Sequence, residues 1–237
     1  MFEEPPESAA DPPLWRRVAA SILAEMASGR LADGARLAPE RAMAAGLGVA
    51  VGTLRRALAD LEARGLLERR QGSGNYARHA GLGREVYGLF RLERADGRGG
   101  MPAADLLDLQ EADAPEGAPF ERATRIRRLR RIGDLPVAAE EIWLDRACGP
   151  LTPDDLGDSL YLTYATRLSL FVTRVEDRVG LGAMPGWAGL GGGACGEVGR
   201  RSWVGGRVVE VSTTWFDPER ARYVNRAERT APPRGKA

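Results

Sequence analysis

The sequence predicts an α+β protein in two parts: a three-helix unit closed by a β-hairpin, then a larger domain built on a mostly antiparallel sheet. Three observations predict it. Apolar residues recur at helical spacing from residue 14 to residue 61, in three runs each ended by glycine. A Gly-Ser-Gly turn at residues 72–74 stands between two short strand-like segments. Beyond residue 120, short strand-like runs alternate with Pro and Gly, which is the punctuation of an antiparallel sheet.

Residues 1–11 are polar and aperiodic and read as a disordered tail. From Pro13 the pattern turns helical: Leu14, Val18, Ile22 and Met26 recur at i+4, and Gly29 ends the helix as a left-handed cap. Pro39 opens a second short helix, where its missing N–H costs nothing. Met43 and Leu47 are its apolar positions, and Gly46 and Gly48 stop it. A third helix runs from about Ala50 to Arg64, burying Leu54, Leu58 and Leu61, with Gly65 closing it. The hairpin spans Leu66–Ala77. Three helices and a hairpin in this order predict a winged helix-turn-helix over residues 12–78. Gly81 and Gly83 place a linker at 79–85.

In the second domain, residues 86–228, strands are expected at Ala123–Ile132, Pro136–Asp145, Phe171–Leu181, Gly196–Val204 and Val208–Phe216. Ile126, Leu129 and Ile132 are the apolar positions of the first, with arginines between them. Helices are expected near Pro153–Asp158 and Tyr161–Leu168. The cluster Gly191-Gly192-Gly193 reads as a loop, because no helix pattern follows it to cradle a phosphate. Residues 229–237 are a second tail. Trp143, Trp187, Trp203 and Trp215 are expected in the core.

Bulk properties exclude several classes. No run approaches the ~20 apolar residues of a membrane span, and the acidic, proline-rich start is no signal peptide. A cytoplasmic protein is expected. Cys148 and Cys195 stand too far apart in sequence for a disulfide framework and read as idle thiols. Net charge is +1 over the whole chain, but residues 12–79 hold eleven arginines against six carboxylates. A basic first domain and a mildly acidic second one is the asymmetry expected when only one of them meets phosphate.

The third helix is the candidate reader of base edges. Thr53 and Arg55 lie in its first turns on the exposed side, where a guanidinium grips guanine O6 and N7. Arg56 is rotated ~100° from Arg55 and suits a backbone phosphate. Arg41, early in the second helix, does too. The wing residues Gln71, Gly72, Ser73 and Gly74 allow close backbone approach to the minor groove. Any one arginine alone reads as a solvated helix face; the set in this order is far more specific.

Residues 13–77 resemble the GntR family DNA-binding domain. The runs that carry the resemblance include Gly34-Ala35-Arg36-Leu37, Glu40-Arg41, Gly48-Val49, Thr53-Leu54-Arg55-Arg56-Ala57-Leu58, Gly65-Leu66-Leu67 and Arg69-Arg70-Gln71-Gly72-Ser73-Gly74. The resemblance implies DNA contacts at Arg41, Thr53, Arg55 and Gly72. Two positions depart from it. Ala38-Pro39 stands where the family has Pro-Ser, and Ala50-Val51 where it has Ser-Arg. The second departure removes a usual contact, so a different operator or a weaker salt dependence is expected.

The attached domain resembles the effector domain of the HutC-like branch, called UTRA, of chorismate-lyase-like fold. The resemblance rests on Arg128-Leu129-Arg130 through Glu140, on Ser159-Leu160-Tyr161, and on Val208–Trp215. Residues 183–194 depart from it, being glycine-rich where the family has a helix. Other branches fit poorly. An all-helical metal-binding domain needs several histidines, and His79 is the only one. An aminotransferase-like domain needs a cofactor lysine, and the only lysine is Lys236. No metal and no cofactor is expected.

Arg128 and Arg130 are i and i+2 on a strand and share a face, suiting a carboxylate or phosphate. Ser159 and Tyr161 would add hydroxyl donors, and Glu140 and Glu210 would hold an amine or sugar hydroxyl. The alternative is a solvated arginine face paired to these glutamates. The expected function is a sequence-specific DNA-binding regulator, a repressor released from its operator by a small anionic metabolite. It would act as a homodimer on a pseudo-palindromic double-stranded site. The rival is an enzyme of chorismate-lyase-like fold, against which stands the lack of any nucleophile–base pair or catalytic residue in the sequence.

Overall fold

The computed structural model describes residues 13–80 and 82–226, with the backbone alone at 83–85. Both expected tails lie outside the described residues. No single helix among the described residues is long and apolar enough to cross a membrane.

The first part holds α1 (Leu14–Ala27), α2 (Glu40–Gly46), α3 (Val51–Ala63), β1 (Leu67–Arg70) and β2 (Gly74–Ala77). The chain bends by 107° between α2 and α3, within the ~90–120° of a helix-turn-helix. Ile22, Leu23 and Met26 of α1 pack against Leu54, Leu58 and Leu61 of α3, with Leu66, Leu67 and Ala77 of the hairpin closing the core. Truncating one of these buried leucines costs ~2–5 kcal/mol. Gly29 and Gly65 take positive φ (76° and 73°) just past α1 and α3, as read from sequence. Residues 35–37 add a third partner to the hairpin: Leu37 N–H donates to the Asn75 carbonyl and Ala77 N–H to the Ala35 carbonyl, both at 2.9 Å.

Two expectations need correction here. Leu47 is 40% exposed, and Ala44 is the buried residue of α2. In a seven-residue helix only one side faces the core, and Met43 and Ala44 occupy it. The glycine-flanked linker contains a helix, α4 (Leu82–Tyr87), whose Leu82 and Val86 join the first core. Two apolar residues at i+4 outweigh the flanking glycines once α1 offers a surface.

The second part is a six-stranded antiparallel sheet in the order β4-β5-β6-β9-β8-β7. Its strands are β4 (Pro102–Asp113), β5 (Arg122–Ile132), β6 (Leu135–Asp145), β7 (Arg174–Ala183), β8 (Ala194–Val204) and β9 (Arg207–Phe216). A small ribbon pairs β3 (Leu92–Arg94) with β10 (Ala221–Tyr223). A short helix, α5 (Leu160–Thr163), runs into a π-helical turn at Tyr164–Leu168, ended by Ser169 at φ 56°. Leu160 and Tyr164 pack on Ile126, Ile142 and Leu144 of the sheet.

Alternation along β5 is strict from Thr124 to Ile132: even-numbered residues point to this covered face, odd-numbered ones away. Arg128 and Arg130 therefore lie inside between Ile126 and Ile132, and Leu129 points outward, against the expected apolar set. The four tryptophans expected in the core are only half-buried. Arg125 and Arg174 lie over Trp143 and Trp203. Trp187, in the glycine-rich 183–194 segment, stacks edge-on to Trp215 at 6.0 Å, with the Arg127 guanidinium over its ring at 4.9 Å. Arg127 and Trp215 are on the outer face, so this segment lies on the side of the sheet away from Arg128 and Arg130.

Candidate functional site

Two constellations emerge, one on each part. On the first, Arg41 is exposed in the opening turn of α2, and Thr53 and Arg55 stand at the start of α3, half-buried and exposed. The hairpin brings Gln71–Gly74 to its tip, with Gly72 at φ 74° and Gly74 at φ 114°, conformations that side chains resist. Ser73 Oγ lies 2.6 Å from the Tyr76 hydroxyl, and Arg70 lies over the Tyr76 ring, stiffening the wing. Arg56 is held elsewhere: its guanidinium sits 4.8 Å from the centroid of Trp15 on α1. That packing role was invisible to spacing along α3.

On the second part, Arg128, Arg130, Glu140, Ser159, Tyr161 and Glu210 all line one cavity, about 700 Å³ of atom-free space partly open to solvent. β5, β6, β8 and β9 supply the floor and α4 and α5 the roof. Arg128 is 4% exposed and Arg130 3%, so neither is a solvated surface arginine. Arg128 is paired: Nη2 and Nε donate to Glu140 Oε2 at 2.5 and 3.1 Å. Burial pushes the Glu140 carboxyl up, but Arg128 and Arg130 together outweigh burial and hold it below its ordinary value. Arg130 differs. Its Nη1 donates to the Asp158 carbonyl at 2.8 Å and its guanidinium lies over the Phe90 ring. Its buried Nε has no hydrogen-bond partner, and Glu140 is at 4.0 Å. Burial pulls Arg130 down to about 10, which leaves it charged at neutral pH and under-compensated.

The hydroxyls and the second glutamate are already engaged. Ser159 Oγ donates to the Val86 carbonyl at 2.7 Å and accepts from Leu162 N–H, capping α5 and tying it to α4. Glu210, 1% exposed, accepts from Ser202 (2.8 Å) and Tyr161 (3.1 Å) on one oxygen and Tyr164 (2.7 Å) on the other. Burial raises its pKa even though the Tyr164 and Ser202 hydroxyls draw it back. Ser159 and Glu210 thus shape the cavity wall rather than offer it free groups. Sequence reading missed Arg200, which lines the cavity and donates to both oxygens of Asp177 at 2.6 and 2.7 Å. Its signal was present: Arg200 is i+2 from Val198 on β8 and so faces the same side. Among the described residues no three His, Cys, Asp or Glu side chains group to hold a metal ion.

Comparison with known proteins gives the context. Residues 14–76 match the gntR family of bacterial regulatory proteins, and residues 107–222 match the UTRA domain. The chain is 48% identical over 225 residues to the HTH-type transcriptional regulator SmoD of Agrobacterium fabrum, covering 90% of this chain and 96% of that one. It belongs to the GntR family. The pairing of a GntR head with a UTRA domain is that of the HutC-like branch. As a GntR protein it is a DNA-binding transcription regulator and not an enzyme. Another relative is the mannosyl-D-glycerate transport/metabolism system repressor MngR of Escherichia coli, 29% identical over 183 residues, 70% of this chain and 73% of that one. Among solved structures, the ligand-binding domain of a GntR-family protein from Bordetella bronchiseptica superposes with a TM-score of 0.52 at 21% identity, covering 58% of this chain and 96% of that one. This likeness establishes the fold of the UTRA part.

Proposed function

We propose that this chain is a homodimeric repressor that leaves a pseudo-palindromic operator when a small anionic metabolite enters the cavity. It acts in the cytoplasm, where that DNA lies. The observation that carries the reading is Arg130, a buried cation in the cavity wall whose Nε lacks an acceptor. An anion there would complete its hydrogen bonding and offset its desolvation. Glu140, accepting from Arg128, would orient a hydroxyl or amine of the same ligand. One relative is named for a system handling mannosyl-D-glycerate, a sugar that carries a carboxylate, which favours an anionic glycoside.

On the DNA side, Thr53 and Arg55 would read base edges from α3, Arg41 would hold a phosphate, and Gln71–Gly74 would approach the minor groove. Dimerisation would use the outer face of the sheet, where Trp143, Trp203 and Trp215 stay half-exposed. The two sites have a physical link. Val86 packs in the core of the head, lines the cavity and accepts from Ser159. A ligand that moves Ser159 or α4 would shift the seat of the head and so its spacing on DNA.

The test is binding of the purified protein to a duplex from its own upstream region, by anisotropy, with and without a panel of sugar acids and sugar phosphates. A salt-sensitive, sequence-selective complex dissolved by one anionic compound is expected. Absence of selective binding, or release by neutral sugars alone, overturns the reading.

A further inference from the structure

We infer that Glu40 is a specificity-determining positioning residue, holding the reading helix and the wing in one ion-paired clamp. The inference rests on the proposed role of Arg55 at base edges. Glu40 is the first residue of α2, and its side chain is 19% exposed. One oxygen accepts from Arg55 Nε on α3 at 2.6 Å, the other from Arg69 Nη2 on β1 at 3.2 Å. One carboxylate therefore joins three elements, while both guanidiniums stay largely exposed (64% and 59%).

The donor chosen on Arg55 matters. With Nε bound to Glu40, the planar guanidinium is anchored by its inner edge, and Nη1 and Nη2 remain free at the outer edge. That edge is the pair of parallel donors that guanine O6 and N7 accept. Without Glu40, Arg55 regains rotamer freedom and becomes a loose cation equally able to bind phosphate. A negative charge also leaves a face that would meet DNA. The two effects have opposite sign: selective binding falls while non-selective binding holds or rises. Arg69 carries the same constraint to the wing. The groove between α2 and the wing, lined by Leu37, Pro39, Gln71 and Gly72, keeps its width through this contact.

The full chain is titrated by anisotropy onto its upstream duplex and onto a scrambled duplex of equal composition. The proteins are wild type, Glu40→Ala, Glu40→Gln, Arg55→Ala and the Glu40→Ala/Arg55→Ala pair. Glu40→Ala is expected to lower discrimination ~10-fold with scrambled-duplex affinity unchanged or higher. Glu40→Gln, which keeps one acceptor oxygen, is expected to retain part of it. Glu40→Ala is expected to add nothing once Arg55 is gone. Equal loss on both duplexes, or an unchanged ratio in both Glu40 variants while Arg55→Ala lowers it, overturns the inference and leaves the reading of Arg55 standing. An unchanged ratio in Arg55→Ala overturns that reading itself.

Discussion

Arg128 and Glu140 are direct cross-strand partners on β5 and β6, and two nitrogens of the guanidinium converge on one carboxylate oxygen. Arg128 sits almost wholly out of water and Glu140 is only 17% exposed, so the two charges depend on one another. Glu140→Ala leaves Arg128 charged and uncompensated, and a loss of ~3–5 kcal/mol in urea unfolding is expected. Glu140→Gln keeps an acceptor and is expected to cost less. Equal, small losses from both would mean that water takes over the role of the carboxylate.

Arg130 is expected to behave in the opposite way. Its Nε is orphaned and its charge under-compensated, so Arg130→Met removes a liability and fills the space with apolar atoms. Stability is expected to change by less than ~1 kcal/mol or to rise, while stabilisation by an anionic effector disappears. Thermal melts with and without sulfate, phosphate and the sugar-acid panel separate the two effects. A large loss of stability without ligand would show that Arg130 is structural.

Glu210 is expected to make a pH-dependent contribution whose sign follows from its burial. Its carboxyl is raised above the ordinary 4.5 by burial, so in the folded state it keeps its proton to higher pH than when unfolded. Its protonated form contributes fully below that unfolded value, and the contribution declines as pH rises from about 4.5 through the folded value. The Tm difference between wild type and Glu210→Gln is therefore expected to shift in favour of the variant from pH 4.5 upward. A difference that moves the other way would mean that the three hydroxyl donors outweigh burial.

Ala50 holds the N-cap of α3 in an extended conformation (φ −67°, ψ 145°) without a side-chain cap. Ala50→Ser supplies the missing acceptor to the first free N–H groups and is expected to add ~1 kcal/mol. The midpoint of denaturant unfolding reads this directly. An unchanged midpoint would show that water already satisfies the helix end.

Legibility differed between the two parts for physical reasons. In the head, each helix carries its own stop signal, and side chains at i+4 meet on one face whatever else happens. α1, α3 and the hairpin were therefore readable. β4 was not, because a bulge between Leu106 and Asp108 breaks its alternation. β3 and β10 are three residues each and exist only as partners of one another. In the cavity, Arg128, Arg130 and Glu140 were legible as one strand pair joined by a short turn. Arg200, Asp177 and Tyr223 come from three separate strands and met only on folding.

The sequence by itself determined the order of the elements, the family and the arginines that share a face of β5, because these depend on periodicity and local motif. Which side of β5 is the inside was decided only by tertiary structure. Alternation defines two faces and does not rank them. The covering helix α5 and the π-helical turn after it, bound through Tyr161 and Tyr164 to Glu210, bury the side that carries Arg128 and Arg130. The state of each charge was decided the same way. Glu140 takes Arg128 and leaves Arg130 short of an acceptor because strand register, not residue type, sets which nitrogen reaches which oxygen.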